Sequence, residues 1–344
     1  MVPLTAIGAC ALVACRAPAP STDEREVVVA PLDSLFGLSR SITLDEPDDY
    51  PIGMILDAAL DPGGTIYLSD FSAREVRAYD QDGAHPRVIG GTGQGPGEYL
   101  LPTSIAWDSP NRQLAVADLG NARIVRFSGS ADGSSVESRI EVELGLKYLR
   151  FGPAGQTVGA GLSRSPDFDI SRTLAFVSTG ADTAHFLPVP EPMLGSPYTR
   201  SVITGIVDSS ERQIIAAVTG HPVIYRFDYR GTVLDSVVLP GNVYASIPLP
   251  DQILDSRAFQ QQHEWMQGLR SAADGKVAVV EIFEYDPDLD DWLQKIAWIP
   301  IETEEPIAIT EPCDCRLVGV EGDQVLLLRG TPPFERTIEW RILR

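Results

Sequence analysis

The chain has 344 residues, 44% of them hydrophobic, with 30 Gly, 27 Pro and a formal net charge of −21 at pH 7. This is the composition of a globular protein with many tight turns, long enough for two ordinary domains or one large all-β domain. The acidity argues against nucleic acid as a partner, because binding it relies on Lys and Arg neutralising phosphates. It suits a soluble body that attracts cations or basic ligands.

The chain opens on an apolar, small-residue run, Ala6 to Ala14, that leads into Leu12-Val13-Ala14-Cys15. This resembles a bacterial lipobox, in which residues 1–15 form an export signal cut before Cys15 and Cys15 carries the lipid. No Lys or Arg precedes the run, as the first region of such a signal requires. Either the true start lies further upstream or the segment is not a signal. Residues 16–25 are rich in Pro, Ala, Ser and charge and are expected to be a flexible tether. Residues 26–344 are expected to form the folded body. No later stretch has the roughly 20 uninterrupted apolar residues of a membrane span.

From residue 54 onward one phrase recurs. A short apolar strand meets a Gly-, Asp- or Ser-bearing turn, a second apolar strand follows, and a third carries an aromatic residue. The aromatics are Tyr79, Phe127, Phe176, Phe227, Trp298 and Trp340, spaced by roughly 50 residues except between Phe227 and Trp298. A period in this range with several strands per unit predicts a propeller. Second strands such as QIIAAV (213–218) and KVAVVEIF (276–283) are nearly continuous apolar runs, as expected of strands buried on both faces. Six units of about four strands fit, giving an all-β, six-bladed β-propeller of four-stranded antiparallel blades. The sixth unit stops at its third strand, IEWRIL (338–343). An N-terminal strand is expected to complete it and close the ring, either EVVVA (26–30) or RSITLDE (40–46).

Two stretches break the rhythm. Residues 244–268 form a long insertion, within which QILDSRAFQQQHEW predicts a helix of about three turns. It is either a lid or binding loop, or a solvated connector. YDPDLDDW (285–292) is an acidic turn in which Asp286, Asp288 and Asp290 alternate as in an oxygen-rich calcium loop. The sixth and twelfth positions of an EF-hand are missing there, so only a looser Ca2+ site is conceivable. Cys313 and Cys315, one residue apart, are expected to be a structural disulfide or two free thiols, since no further ligands stand beside them for a metal or redox pair.

At IGGTGQGPGEYLLPTSIAWD (89–108) and VADLGNARIVRFS (116–128) the chain resembles the NHL-repeat and related bacterial six-bladed β-propeller lipoproteins. The resemblance rests on GQGPGEY with Pro102, and on Asp118-Leu119-Gly120-Asn121-Ala122-Arg123-Ile124. In that family the second motif links strands two and three, which implies a turn-fixing role for Asp118, Gly120, Asn121 and Arg123. Only blade 2 matches in full. Blade 1 keeps Asp70 but has Glu75 in the arginine slot, and blade 4 keeps only Gly220 and the apolar end.

A catalytic set is not legible. His85, His185, His221 and His263 form no close pair and no HExxH pattern. There is no nucleophile elbow, and the glycine run 90–97 lacks the Lys-Ser/Thr ending of a phosphate loop. Asp57 and Asp208, on inner strands, are the carboxylates that a channel-centred enzyme would use. The expectation is therefore a lipid-anchored cell-envelope propeller that binds a small ligand or an envelope protein, without catalytic residues and without a required cofactor. The alternative is a metal-dependent hydrolase of the lactonase type.

Overall fold

The computed structural model describes residues 25–47, 51–128, 136–141, 144–163, 173–179, 182–193, 204–248, 255–330 and 335–344. Cys15, its signal-like run and all but the last residue of the tether lie outside the described residues.

Six sheets follow one another around a ring, each a meander from an inner to an outer strand. The inner strands are Ile55–Leu60, Pro102–Asp108, Leu144–Phe151, Gly205–Ser209, Trp265–Ala272 and Cys315–Glu321. The second strands carry the core. Ile66–Asp70 and Ile214–Val218 are buried at every position, because each is covered by a neighbouring blade on either side. The buried apolar side chains fall into six clusters, one at each interface between adjacent blades.

Both N-terminal alternatives for closing the ring are used, in different blades. Phe36–Thr43 pairs antiparallel with Thr337–Leu343 and is the outer strand of blade 6. Val27–Ala30 pairs parallel with Ile307–Thr310 as a fifth strand on blade 5. Between them a one-turn helix, Leu32–Leu35, places Leu32, Leu35 and Phe36 in the blade 5–6 core. Ile42 and Leu44 enter the blade 6–1 core. The N-terminal segment thus fastens three consecutive blades.

All six repeat aromatics are buried, but they are not equivalent. Tyr79, Phe127, Phe176 and Phe227 face the preceding blade, whereas Trp298 and Trp340 face the following one. A shift of one residue along a strand moves a side chain to the opposite face, and this has happened between blades 4 and 5. The blade 4–5 interface therefore receives none of the six. Tyr244, at the start of the insertion, is buried there instead, and its hydroxyl oxygen accepts from Gly220 N (2.8 Å) and Met266 N (3.2 Å).

Beyond Tyr244, the first three residues of the expected helix, 252–254, lie outside the described residues, and the described remainder is less helical than its sequence suggests. The helix spans only Ser256–Gln261, with the Asp255 carboxylate accepting from Arg257 N and Ala258 N at its start. Trp265, expected in the helix, begins the inner strand of blade 5 and is held there by pairing with Phe283.

Candidate functional site

The inner strands bring charge to the centre of the ring. Five of the six carry a register shift where they pair with their second strands. Such bulges bend a strand and re-aim its side chains. The channel side chains are Asp57 from blade 1, Ser104 from blade 2, Arg150 from blade 3, Asp208 from blade 4 and Arg270 from blade 5, all buried.

They form one network. Arg150 donates to Asp57 through Nη1 (2.9 Å) and Nη2 (3.3 Å), and to Asp208 through Nε (2.6 Å). Arg270 Nη2 donates to Asp57 Oδ1 at 2.6 Å. Ser104 Oγ donates to Asp57 Oδ2 at 2.5 Å. The Asp57 carboxylate also accepts from the backbone N–H groups of Ala58 and Ile105. Asp208 accepts in addition from Ser271 N at 2.6 Å. On the far side, Glu281 takes Arg316 Nε (3.0 Å) and Leu317 N (2.9 Å), tying blade 5 to blade 6.

The charges within the channel balance, two carboxylates against two guanidiniums. Burial alone would raise the Asp57 carboxyl, but Arg150, Arg270 and the Ser104 hydroxyl hold it below the ordinary aspartate value. Burial would lower the Arg150 guanidinium, yet Asp57 and Asp208 carry it above its usual value. Arg270 goes the other way: burial and the like charge of Arg150 lower it, and its carboxylate neighbours do not make up the difference.

Arg150, Asp208 and Arg270 form the floor of an open mouth of about 450 Å³, walled by Trp107 and Phe151, with Glu321 at its edge. A second cavity of about 500 Å³ is lined by Met54, Trp292, Arg316 and Arg336, at the opposite ends of the inner strands of blades 1 and 6.

The other sequence candidates are placed as follows. Asp118 Oδ1 accepts from the N–H groups of Leu100, Leu101 and Asn121, and Oδ2 accepts from Asn121 Nδ2 at 2.6 Å. Arg123 lies 3.4 Å from Asp118 and donates to the carbonyls of Gln94, Gly95 and Glu98. The motif thus pins the GQGPGEY loop to the strand-two end of blade 2. Gly120 is needed for close approach rather than for a left-handed conformation, since a Cβ there would lie 2.6 Å from Leu100 Cβ. The left-handed residue of this turn is Ala122, with φ of 53°. In blade 1, Arg77 supplies the guanidinium that the Glu75 slot lacks and lies 3.2 Å from Asp70. It sits two residues further along the strand and so on the same face.

Cys313 and Cys315 form a disulfide at the entry to the inner strand of blade 6. Asp286, Asp288 and Asp290 occupy the hairpin between Val277–Asp286 and Asp291–Pro300. Asp286 accepts from the N–H groups of Asp288 and Leu289, while Asp290 is engaged by Tyr285 and by Arg257 of the insertion helix. Among the described residues, no three His, Cys, Asp or Glu side chains gather as a metal ligand set. Asp57 and Asp208 converge, but each is held by arginine, and a cation between them would meet two guanidiniums.

Sequence reasoning found Asp57 and Asp208 but missed Ser104, Arg150 and Arg270. A signal was present. Arg150 and Arg270 each stand inside an otherwise largely apolar inner-strand segment, in KYLRFG and QGLRSAA, and a buried charge in such a place requires a partner of opposite sign.

Comparison with known proteins places the fold. A family model, DUF5128, described as a 6-bladed beta-propeller, matches residues 22–144. No curated protein matches the chain in sequence. A candidate exported protein of Bacteroides fragilis is similar in structure, with a TM-score of 0.65, 14% identity, and coverage of 93% of this chain and 98% of its own. A member of the DUF4221 family from Bacteroides vulgatus has a TM-score of 0.67 and 8% identity, covering 90% of this chain and 98% of its own. A gluconolactonase of Xanthomonas campestris has a TM-score of 0.53 and 14% identity, covering 94% of this chain and 97% of its own. What this chain shares with these proteins is the six-bladed β-propeller fold.

Proposed function

We propose that this chain is a binding module of the bacterial cell envelope, tethered through a lipid on Cys15, whose ligand enters the channel mouth floored by Arg150, Asp208 and Arg270. The observation that carries this reading is the mouth itself. An open cavity of about 450 Å³ ends on a buried, charge-balanced Arg–Asp network. That volume lies within the usual range for small-molecule sites, which combine apolar walls with a few placed polar groups. The lactonase-type alternative draws no support from Asp57 and Asp208, whose oxygens already face guanidiniums.

The test uses a variant that fills the mouth and leaves the network intact. Gly319 lines the cavity, and a Cβ added there meets only Leu326, at 3.7 Å, an ordinary contact. A small-molecule extract of the source cells is expected to raise the melting temperature of the wild-type protein but not that of Gly319→Leu. An equal rise in both would place the ligand elsewhere. The anchor is tested by feeding cells a fatty-acid analogue: label on the wild-type protein and none on Cys15→Ala is expected, and label on both would overturn it.

A further inference from the structure

Arg270 stands out from the other charges of the network. It donates one hydrogen bond to Asp57 and one to the Leu269 carbonyl, which uses two of its five N–H groups. The other three have no acceptor among the described residues. Asp57 cannot take them, because it already accepts from Arg150, Arg270, Ser104, Ala58 and Ile105. Asp208 is directed to Arg150 and Ser271 N. Arg270 is only 6% exposed, and what remains open of it lines the mouth. None of its nitrogens is both sealed from solvent and unpartnered, so the spare donors open to the mouth, and an acceptor that fits their planar fork there is a carboxylate. The lowering of Arg270 by burial is consistent with that deficit.

The rim has the opposite sign. Asp61 and Glu321 both line the same mouth. Asp61 accepts from Gly63 N, Thr65 N and the Tyr67 hydroxyl, and Glu321 Oε2 accepts from Trp340 Nε1, so both are fixed in place. Among the described residues, the only cations lining the mouth are Arg150 and Arg270 at its floor. A ligand entering here meets carboxylates first and guanidinium last, between walls of Trp107 and Phe151. A dianion would be repelled by the rim and by Asp208, whereas a molecule that carries an ammonium beside its carboxylate brings an acceptor for Arg270 without adding net negative charge.

Resting on the binding function proposed above, we infer that the mouth takes an amino-acid-type zwitterion, its carboxylate on Arg270, its ammonium toward Asp61 and Glu321, and its side chain against Trp107 and Phe151.

The melting temperature of the full chain is measured with each common amino acid at about 10 mM. A rise of roughly 2 °C or more is expected with at least one of them, as for a ligand held near millimolar affinity. The C-terminal amide of that amino acid is expected to give no rise, and its N-acetyl derivative a clearly smaller one. Arg270→Gln is expected to abolish the response. Should that variant fail to fold, the amide comparison on the wild-type protein decides the point. An amide that stabilises as well as the free acid overturns the role of Arg270, and an N-acetyl form that binds equally overturns the role of the rim. If no amino acid raises the melting temperature while the cell extract does so in a Gly319-dependent way, the zwitterion falls and the binding function stands. If neither responds, both fall.

Discussion

Asp57 is the residue on which the channel turns. It is 3% exposed and faces both Arg150 and Arg270. Removing one partner from a buried ion-pair network leaves uncompensated charge, at a cost of about 3–5 kcal/mol. Asp57→Ala is expected to fall in that range by urea denaturation, and Asp57→Asn, which keeps the shape and some hydrogen bonds, to lose less. The two arginines also give the network a pH signature. The Asp57 carboxyl titrates below its ordinary value of 3.8 in the folded state. The unfolded chain therefore takes up the proton first, so the stability that Asp57 supplies is full above the ordinary value and disappears as pH falls below it through the folded value. The gap in urea midpoint between wild type and Asp57→Asn should be constant from neutral pH down to about pH 5 and should narrow below about pH 4. A gap that persists unchanged at the lowest pH reached would mean that Asp57 is not held by charge.

Between strands, the turn of blade 2 shows which local features could be read in advance. Asp118 accepts from the N–H groups of Leu100, Leu101 and Asn121, because a short acidic side chain beside a tight turn is suited to capturing backbone N–H groups. What could not be read is that the partners of Asp118, Asn121 and Arg123 come from the loop 93–101, since the alignment of that loop over the turn is a tertiary fact. The same limit explains why Arg77 was missed. A motif compares equal positions, whereas a strand can supply the same group from two residues away on the same face. It also explains why spacing does not tell which blade interface each aromatic enters. Spacing counts residues, but facing depends on parity, and Trp298 and Trp340 differ in parity from the earlier four. Gly120 gives the element-scale test. Its added Cβ would lie 2.6 Å from Leu100 Cβ and 3.2 Å from Leu101 N, so Gly120→Ala must push the loop away. A cost of about 1–3 kcal/mol by chemical denaturation is expected. Ala122→Gly, at φ of 53°, should be neutral or mildly stabilising because it relieves a left-handed non-glycine residue.

For the ring as a whole, closure depends on the N-terminal segment, whose two strands make unequal contributions. Val27–Ala30 adds a parallel edge strand, with Val28 and Val29 38% and 60% exposed. Its removal uncovers the edge of Ile307–Thr310 but takes little from the core. The segment after it is different. Leu32, Leu35, Phe36, Ile42 and Leu44 are all buried in the two interfaces flanking blade 6. At roughly 1.5–3 kcal/mol for each large apolar side chain, their loss is comparable to the roughly 5–15 kcal/mol by which a domain is usually stable. Arg341, which donates to Asp33 and to the Phe36 carbonyl, would also be left buried without two of its acceptors. A chain starting at residue 31 is therefore expected to fold with a modestly lower melting temperature, and a chain starting at residue 47 to lose cooperative thermal unfolding and to be cut rapidly by protease within Thr337–Leu343. The two truncations separate strand pairing from core completion, since both remove backbone hydrogen bonds and only the second opens the blade 5–6 and 6–1 cores. If the chain starting at residue 47 melted like the full protein, those two cores would have to close without their N-terminal side chains, and the segment would not be what closes the ring.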